Sequence, residues 1–332
     1  MFFSEEGSSF GKRHFSVLLQ QPDIELCGLI LRPWPPGHPG GGDTLRQTLR
    51  NTVWRLAFTM AGATPAIDLT AFSMPTEASI RGIPVLRPKR LKSASFLKKI
   101  HSLKPDVILC AGHQQIFPAA LLGLPSLGAL NFHPSLLPEG RGRNPCFWTI
   151  VTGQTETGVT VHFMTTGIDQ GDIVVQRAIP LNGSETYTSL YQTLSTMSAD
   201  LIPETLHQLK SETLQRIPQS AGGKPFREPV EADYRIDWTK QGDCIQRLIR
   251  AGMNAPGAYT EWRDTRVIVC DGTARATGVG APGEIRDISP EGVEVGCKAG
   301  SVVIIHAQID GDSVPVHQLA THMGWRVGDQ LS

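Results

Sequence analysis

Residues 130–138 read L-N-F-H-P-S-L-L-P, and this stretch decides how the chain folds. It follows an apolar run that reads as a buried strand. Side chains alternate along a strand with a period of two, so Asn131 and His133 project to one face at the strand's end. An amide there can donate to a developing oxyanion, and an imidazole can exchange a proton near neutrality. The same residues also fit a plain strand running into a polar loop closed by Pro134 and Pro138.

Upstream, short apolar runs at 24–31, 84–86, 106–111 and 128–132 alternate with helical patterns. That βαβ rhythm predicts a doubly wound, Rossmann-like α/β sheet whose ligands bind beyond the carboxyl ends of the strands, where Asn131 and His133 lie. No G-x-G-x-x-G follows the first strand, which argues against a dinucleotide-dependent oxidoreductase. That first strand reads short, because polar residues follow Phe3 directly. Residues 33–42 are too rich in Pro and Gly for regular structure. From Asp43 or Thr44 a helix is expected, with Leu45, Leu49, Val53, Leu56 and Met60 as its apolar stripe. Arg46 and Arg50 share its exposed face, either simply solvated or facing a substrate phosphate.

Downstream of the opening stretch come Arg141-Gly142, Pro145, Phe147-Trp148, then G-V-T-V-H at 158–162 and G-I-D-Q-G-D-I at 167–173. In this order and at about this spacing the segments resemble the folate-dependent formyltransferase family, with its N-x-H-P/A-S-L-L-P loop, R-G-x-x-P segment, G-V-T strand and D-x-G-D/Q-I turn. The resemblance is strongest from 107 to 179 and weak before 22. It implies transfer of a formyl group from N10-formyltetrahydrofolate to a primary amine, without a metal, and places the catalytic asparagine, histidine and aspartate on Asn131, His133 and Asp169. Read alone, D-Q-G-D is also good turn chemistry, with Asp172 stabilising the turn and Gly171 permitting it. The resemblance further implies a pterin ring held mostly by backbone groups of two loops. One is 112–117, with Gln115, Ile116 and Phe117; the other is 165–169, with Thr165, Thr166, Gly167 and Ile168. Ile116 and Ile168 would form the apolar wall.

The chain has 332 residues, enough for two cores, and equal numbers of basic and acidic residues, 31 each, so no polyanionic partner is demanded. Cysteines at 27, 110, 146, 244, 270 and 297 form no C-x-x-C pair, which argues against zinc and a disulfide framework. Neither a signal-like start nor a run of eighteen apolar residues is seen, so a cytoplasmic protein independent of membranes is expected.

The expected domains are a catalytic one at 1–216, a Pro/Gly-rich linker at 217–229 and a C-terminal one at 230–332. The last begins R-I-D-W at 235–238. It continues through a helix near 244–251 and P-G-A-Y-T at 256–260 into strands at 266–270, 283–285, 292–297 and 301–307, the pattern of a small OB-like barrel. These segments resemble the C-terminal domain of methionyl-tRNA and some amino-sugar formyltransferases.

For the acceptor, the resemblance divides. The tRNA enzymes carry a basic loop after the second strand, whereas no lysine lies between Leu31 and Asp43 here. Cys146-Phe147-Trp148 and His162 resemble the small-amine enzymes. A small amine such as an amino-sugar nucleotide is therefore placed ahead of initiator tRNA. His162 is open between a structural and an active-site role. Formyltetrahydrofolate hydrolysis by the same three residues is the competing enzyme reading, and a folate- or nucleotide-binding module without turnover the competing non-enzyme one. Oligomeric state is not legible.

Overall fold

The structure is a computed structural model that describes residues 1–32, 69, 71–223, 225–253, 256–276, 281–309 and 312–332. The Pro/Gly-rich stretch at 33–42 and the helix expected from Asp43 or Thr44, with Arg46 and Arg50, lie outside the described residues. In chain order the elements are β1 (Phe2–Glu5), α1 (Ser9–Leu18), β2 (Leu29–Arg32), α2 (Met74–Ile80), β3 (Val85–Leu86), α3 (Ala94–Ser102), β4 (Ile108–Ala111), α4 (Ala119–Leu122) and β5 (Ala129–His133). There follow α5 (Pro145–Thr152), β6 (Glu156–Phe163), β7 (Ile173–Pro180), α6 (Tyr187–Ala199), α7 (Ile202–Lys210), α8 (Gly242–Ala251), β8 (Tyr259–Trp262) and β9 (Thr265–Arg275). The last are β10 (Ile285–Ser289), β11 (Gly292–Gly296), β12 (Ser301–Ile309), β13 (Asp312–Pro315) and α9 (Val316–Met323). Among the described residues no helix is long and apolar enough to cross a membrane.

The chain forms two compact units, the first made of Met1–Arg141, Gly158–Ala178 and Gln192–Pro225, the second of Gly142–Thr157, Ile179–Tyr191 and Phe226–Ser332. In the first, a seven-stranded sheet runs in the order β3-β2-β1-β4-β5-β6-β7. Neighbours from β3 to β5 pair in parallel, and β6 runs antiparallel to β5. The chain thus builds outward from β1 to β3 and returns to place β4 on the other side of β1. The point where the order reverses is where a doubly wound sheet leaves a crevice at its carboxyl ends.

Several strand boundaries differ from the sequence reading: β4 begins at Ile108 rather than 106, β9 runs on to Arg275 rather than 270, β10 spans Ile285–Ser289 rather than 283–285, and both β1 and β2 are shifted. β1 continues past Phe3 through Ser4, which is fully buried, and Glu5, which pairs with Arg32 at 3.0 Å. Polar residues are accommodated because α1 crosses close to the strand. A Cβ on Gly11 would overlap Ser4, so only glycine permits that approach. β2 begins at Leu29 rather than near Ile24, since Leu29 is the partner of Phe2 and among the described residues no strand pairs with the residues before it.

α1 is capped by Ser8, whose hydroxyl accepts from the Gly11 amide at 3.1 Å, and buries Phe10, His14, Phe15 and Leu18 on one face. Phe3, Ile30, Phe96, Ile100, Ile108 and Phe117 belong to the core that holds the strands in place.

In the second unit, a six-stranded antiparallel sheet runs β10-β11-β12-β9-β8, with β13 paired to β12. α8 buries Ile245 and Ile249 in a core with Val267, Val293, Val302 and Ile304. The tryptophan of the I-D-W segment, Trp238, is buried and donates to Thr260 Oγ1 at 3.0 Å. α5 belongs to this unit. Arg247 donates to the Val151 carbonyl, and the rings of Phe147 and Tyr234 lie 4.9 Å apart.

Candidate active site

Strand β5 alternates as expected. Phe132 packs on one side against His14, with ring centroids 5.1 Å apart, while Asn131 and His133 share the other. The antiparallel register sets Asn131 opposite His162 and His133 opposite Thr160, and residues directly opposite share a face.

Thr160 is fully buried and fixes the loop after β5. Its hydroxyl donates to the Ser135 carbonyl at 2.7 Å and accepts from the Leu137 amide at 3.1 Å and from Gln176 Nε2 at 2.9 Å. Ser135 in turn donates to the Glu139 carbonyl at 3.0 Å, so it shapes the loop.

His133, 6% exposed, has Nε2 2.9 Å from the Gly140 carbonyl. A carbonyl only accepts, so that nitrogen carries a hydrogen and Nδ1 is the atom left for chemistry. Nδ1 faces Asp169 Oδ2 at 3.8 Å, a charge-pair separation with room to tighten around a substrate. His162, 2% exposed, likewise donates through Nδ1 to the Phe163 carbonyl at 2.8 Å. Its Nε2 lies 3.2 Å from Asn131 Nδ2 and 3.5 Å from Asp169 Oδ1. Asn131 Nδ2 also donates to Asp169 Oδ1 at 3.4 Å. Asn131, His133 and Asp169 therefore converge, and His162 joins them.

Asp169 sits in the turn between β6 and β7 with φ of 48°, a left-handed conformation that aspartate tolerates better than most residues. Its charge reaches the end of β4. Cys110 pairs with Asn131 in the sheet, and its thiol pKa is raised well above the usual range, first by burial and then by Asp169.

The two loops expected to meet a pterin flank this point. After β4, Ile116 is 65% exposed, and in the second loop Ile168 is 44% exposed, so both present apolar surface to solvent. Gln115 Oε1 is buried with no hydrogen-bond partner among the described residues. The Gln115 backbone N–H donates to His113 Nδ1 at 3.3 Å, and burial pulls the His113 pKa down to about 4, keeping that ring neutral. Phe117 instead lies in the core, 4.8 Å from the Phe3 ring, so any ligand contact it makes is through its backbone. Thr165 and Thr166 are exposed, and the Thr165 hydroxyl accepts from the Gly167 amide at 3.2 Å. Among the described residues no group of three or more His, Cys, Asp or Glu could hold a metal ion.

Residues 60–206 match the formyl transferase family and 230–323 its C-terminal domain. A methionyl-tRNA formyltransferase of Geotalea uraniireducens (strain Rf4) is 37% identical over 235 residues, which are 70% of this chain and 75% of that protein. The chain belongs to the formyltransferase family. A second methionyl-tRNA formyltransferase, from Myxococcus xanthus (strain DK1622), is 35% identical over 247 residues, 74% of this chain and 79% of that one. Among solved structures, an N-formyltransferase from Helicobacter canadensis, in complex with folinic acid and dTDP-3-aminofucose, aligns with a TM-score of 0.64 at 17% identity, covering 91% of this chain and 97% of that one. HypX from Aquifex aeolicus, in complex with tetrahydrofolic acid, aligns with a TM-score of 0.56 at 21% identity, and the 76% of this chain that aligns spans 45% of HypX. At such identities these structures establish the shared fold.

In this formyltransferase Asn131, His133 and Asp169 are legible in the sequence, whereas His162 is left open by it. The signal that places it is the β5–β6 register, which sets G-V-T-V-H alongside L-N-F-H. Gly140 carried no sequence signal, because it acts through its carbonyl.

Proposed function

We propose that this enzyme moves the formyl group of N10-formyltetrahydrofolate to the amine of methionyl-tRNA. The convergence of Asn131, His133 and Asp169 on one strand end carries the reaction type. The acceptor rests on relatives named methionyl-tRNA formyltransferase at 37% identity over 70% of the chain. Those relatives support tRNA over the amino sugar favoured by the sequence reading.

In formyl transfer the amine attacks the formyl carbon, the carbonyl oxygen becomes an oxyanion, and the bond to N10 breaks as that nitrogen takes up a proton. Asn131 Nδ2 is the oxyanion donor, and one such donor is worth about 3 kcal/mol of transition-state energy. His133 works through Nδ1: protonated, it donates to the oxyanion; neutral, it accepts the amine's proton. Asp169 orients that nitrogen and stabilises the imidazolium. Ile116 and Ile168 offer an apolar wall for the pterin, and the unpartnered Gln115 Oε1 an acceptor for one of its N–H groups.

A second reading, a small amine such as an amino-sugar nucleotide, is supported by Cys146-Phe147-Trp148 and by His162 at the end of the G-V-T strand, both of which resemble the small-amine enzymes. Release of tetrahydrofolate from N10-formyltetrahydrofolate separates the readings when measured with methionyl-tRNA, with amino-sugar nucleotides and with no acceptor, using His133→Ala as the blank. Turnover dependent on methionyl-tRNA is expected. Turnover only with a sugar nucleotide moves the assignment to the second reading, and equal turnover without acceptor makes the protein a hydrolase.

A further inference from the structure

The segment at 217–229 reads as a linker, yet its start is tied to the loop that carries Asp169. Ile217 and Ile173 exchange both backbone hydrogen bonds, at 2.8 and 2.9 Å. This delivers Gln219 to the back of the Asp169 turn. There Gln219 Nε2 donates to the Asp169 carbonyl at 2.9 Å and the Gly171 carbonyl at 2.7 Å. Its Oε1 accepts from Arg141 Nε at 3.1 Å and Nη2 at 2.6 Å. Both hydrogens and both lone pairs of the amide are thereby used. Arg141, only 8% exposed, completes the arrangement by donating through Nη1 to the Gly222 carbonyl at 3.0 Å.

Arg141 directly follows Gly140, whose carbonyl holds His133 Nε2. One dipeptide thus reaches both partners of the candidate acid–base pair, His133 through a backbone oxygen and Asp169 through a side chain relayed by Gln219. We propose that Arg141 and Gln219 are positioning residues that fix where Asp169 faces His133. The 3.8 Å gap between His133 Nδ1 and Asp169 Oδ2 is the distance they govern. Neither touches the reacting atoms; each acts through the Asp169 turn. The segment beyond the catalytic sheet is then part of its machinery, and a displacement there reaches the carboxylate directly.

This rests on the formyl-transfer reading of the site, and the two can fail separately. Gln219→Glu keeps an acceptor for Arg141, now as an ion pair, but replaces the NH2 group and both its donors with one carboxylate oxygen facing the Asp169 and Gly171 carbonyls. A residue that merely tethers 219–222 to Arg141 tolerates that change. A residue that positions Asp169 does not. Gln219→Leu removes both halves of the relay.

The test measures kcat and KM for formyl transfer, Tm, and hydrogen–deuterium exchange of residues 163–174 in wild type and both variants. Expected for Gln219→Glu are a kcat lower by about 10²-fold, the penalty of a misplacement near 1 Å, faster exchange across 165–172, and a lower Tm with a single cooperative transition kept, because two hydrogen bonds are lost. A Gln219→Glu enzyme with wild-type kcat overturns the proposal, whether or not exchange changes, as does a loss of kcat with exchange unaltered. Should Gln219→Leu fail to fold, Gln219→Glu alone decides. If wild type releases no tetrahydrofolate with any acceptor, the formyl-transfer reading fails by itself; unchanged exchange in Gln219→Glu then overturns the relay, and faster exchange supports its hold on the turn.

Discussion

His162 Nε2 lies 3.2 Å from Asn131 Nδ2, across one rung of the β5–β6 ladder, and 3.5 Å from the same Asp169 oxygen that the Asn131 amide reaches. With its Nδ1 hydrogen committed to the Phe163 carbonyl, a neutral His162 offers Nε2 as an acceptor. Both amide hydrogens of Asn131 are then engaged, one by His162 and one by Asp169, and on the proposed mechanism a developing oxyanion takes one over. The amide is aimed before substrate arrives, which is what pre-organised electrostatic stabilisation requires.

Replacing His162 tests that aim. His162→Leu leaves the Asn131 amide held by Asp169 alone and one of its donors unpaired, so kcat for tetrahydrofolate release is expected to fall about tenfold or more and urea stability by about 1–3 kcal/mol. His162→Gln retains an acceptor and is expected to recover part of both. If the two variants are equally active, His162 is only filling space.

The three converging residues are expected to act as a unit. Asn131→Ala lowers kcat by about 10²- to 10³-fold, the cost of one oxyanion donor. His133→Ala and Asp169→Asn act on one proton path, so the double variant is expected to lose little more than the worse single variant. Steady-state kcat for the three single variants and the double checks this. Multiplicative losses from His133 and Asp169 would show independent roles.

Much of this was legible because strand periodicity is local: two positions apart on a five-residue strand is enough to place Asn131 and His133 on one face. What sequence left undecided depended on distant register. His162 is 31 residues from Asn131, and only the antiparallel pairing brings it across. Ser4 and Glu5 look like the end of a strand until α1 is known to cross close to Ser4 at Gly11. Gln219 lies in a stretch whose prolines and glycines read as a linker, and neither its composition nor its spacing signals the turn 48 to 50 residues away that it holds. α8 and β9 were legible for similarly local reasons, an apolar helical stripe and an alternation of buried and exposed positions, whereas β10 was expected at 283–285 and instead runs Ile285–Ser289.

Acid is expected to destabilise the first unit through two buried histidines. His14 is fully buried, donates through Nδ1 to the Phe10 carbonyl at 2.7 Å, and accepts from Ser198 at 2.9 Å, and burial pulls its pKa down from 6.5 to about 3. Between those values the unfolded chain binds a proton that the folded chain refuses. Stability is therefore fully present above pH 6.5 and lost as pH falls toward 3, at about 1.4 kcal/mol per pH unit per group. His113, pulled down to about 4, adds to this over a narrower window. Urea unfolding at pH 7, 6 and 5 is expected to show the loss, and His14→Gln, though less stable at pH 7, is expected to show a shallower slope. A slope unchanged by His14→Gln would mean that this residue titrates normally in the fold.

The turn carrying Asp169 depends on a glycine for space rather than for its backbone angle. A Cβ on Gly171 would overlap the Phe163 carbonyl oxygen, and the neighbouring Phe163 amide donates to the Asp172 carbonyl at 2.9 Å, so neither side of the turn can yield without breaking that contact. Gly171→Ala therefore moves the Asp169 turn off β6 and also disturbs the carbonyl held by Gln219. The expected result is a kcat loss near that of Asp169→Asn, about 10²-fold for a displacement near 1 Å, with a lower Tm. Gly123→Ala is the control in the same unit. Its backbone is helical, at φ −85° and ψ 0°, and the added methyl meets only the Ala119 carbonyl at 3.5 Å, an ordinary contact. That variant is expected to be neutral or more stable by about 0.4–1 kcal/mol with kcat unchanged. If Gly171→Ala kept full kcat, the turn would have to absorb a methyl group without moving the carboxylate, and the steric account of how Asp169 is placed would be wrong.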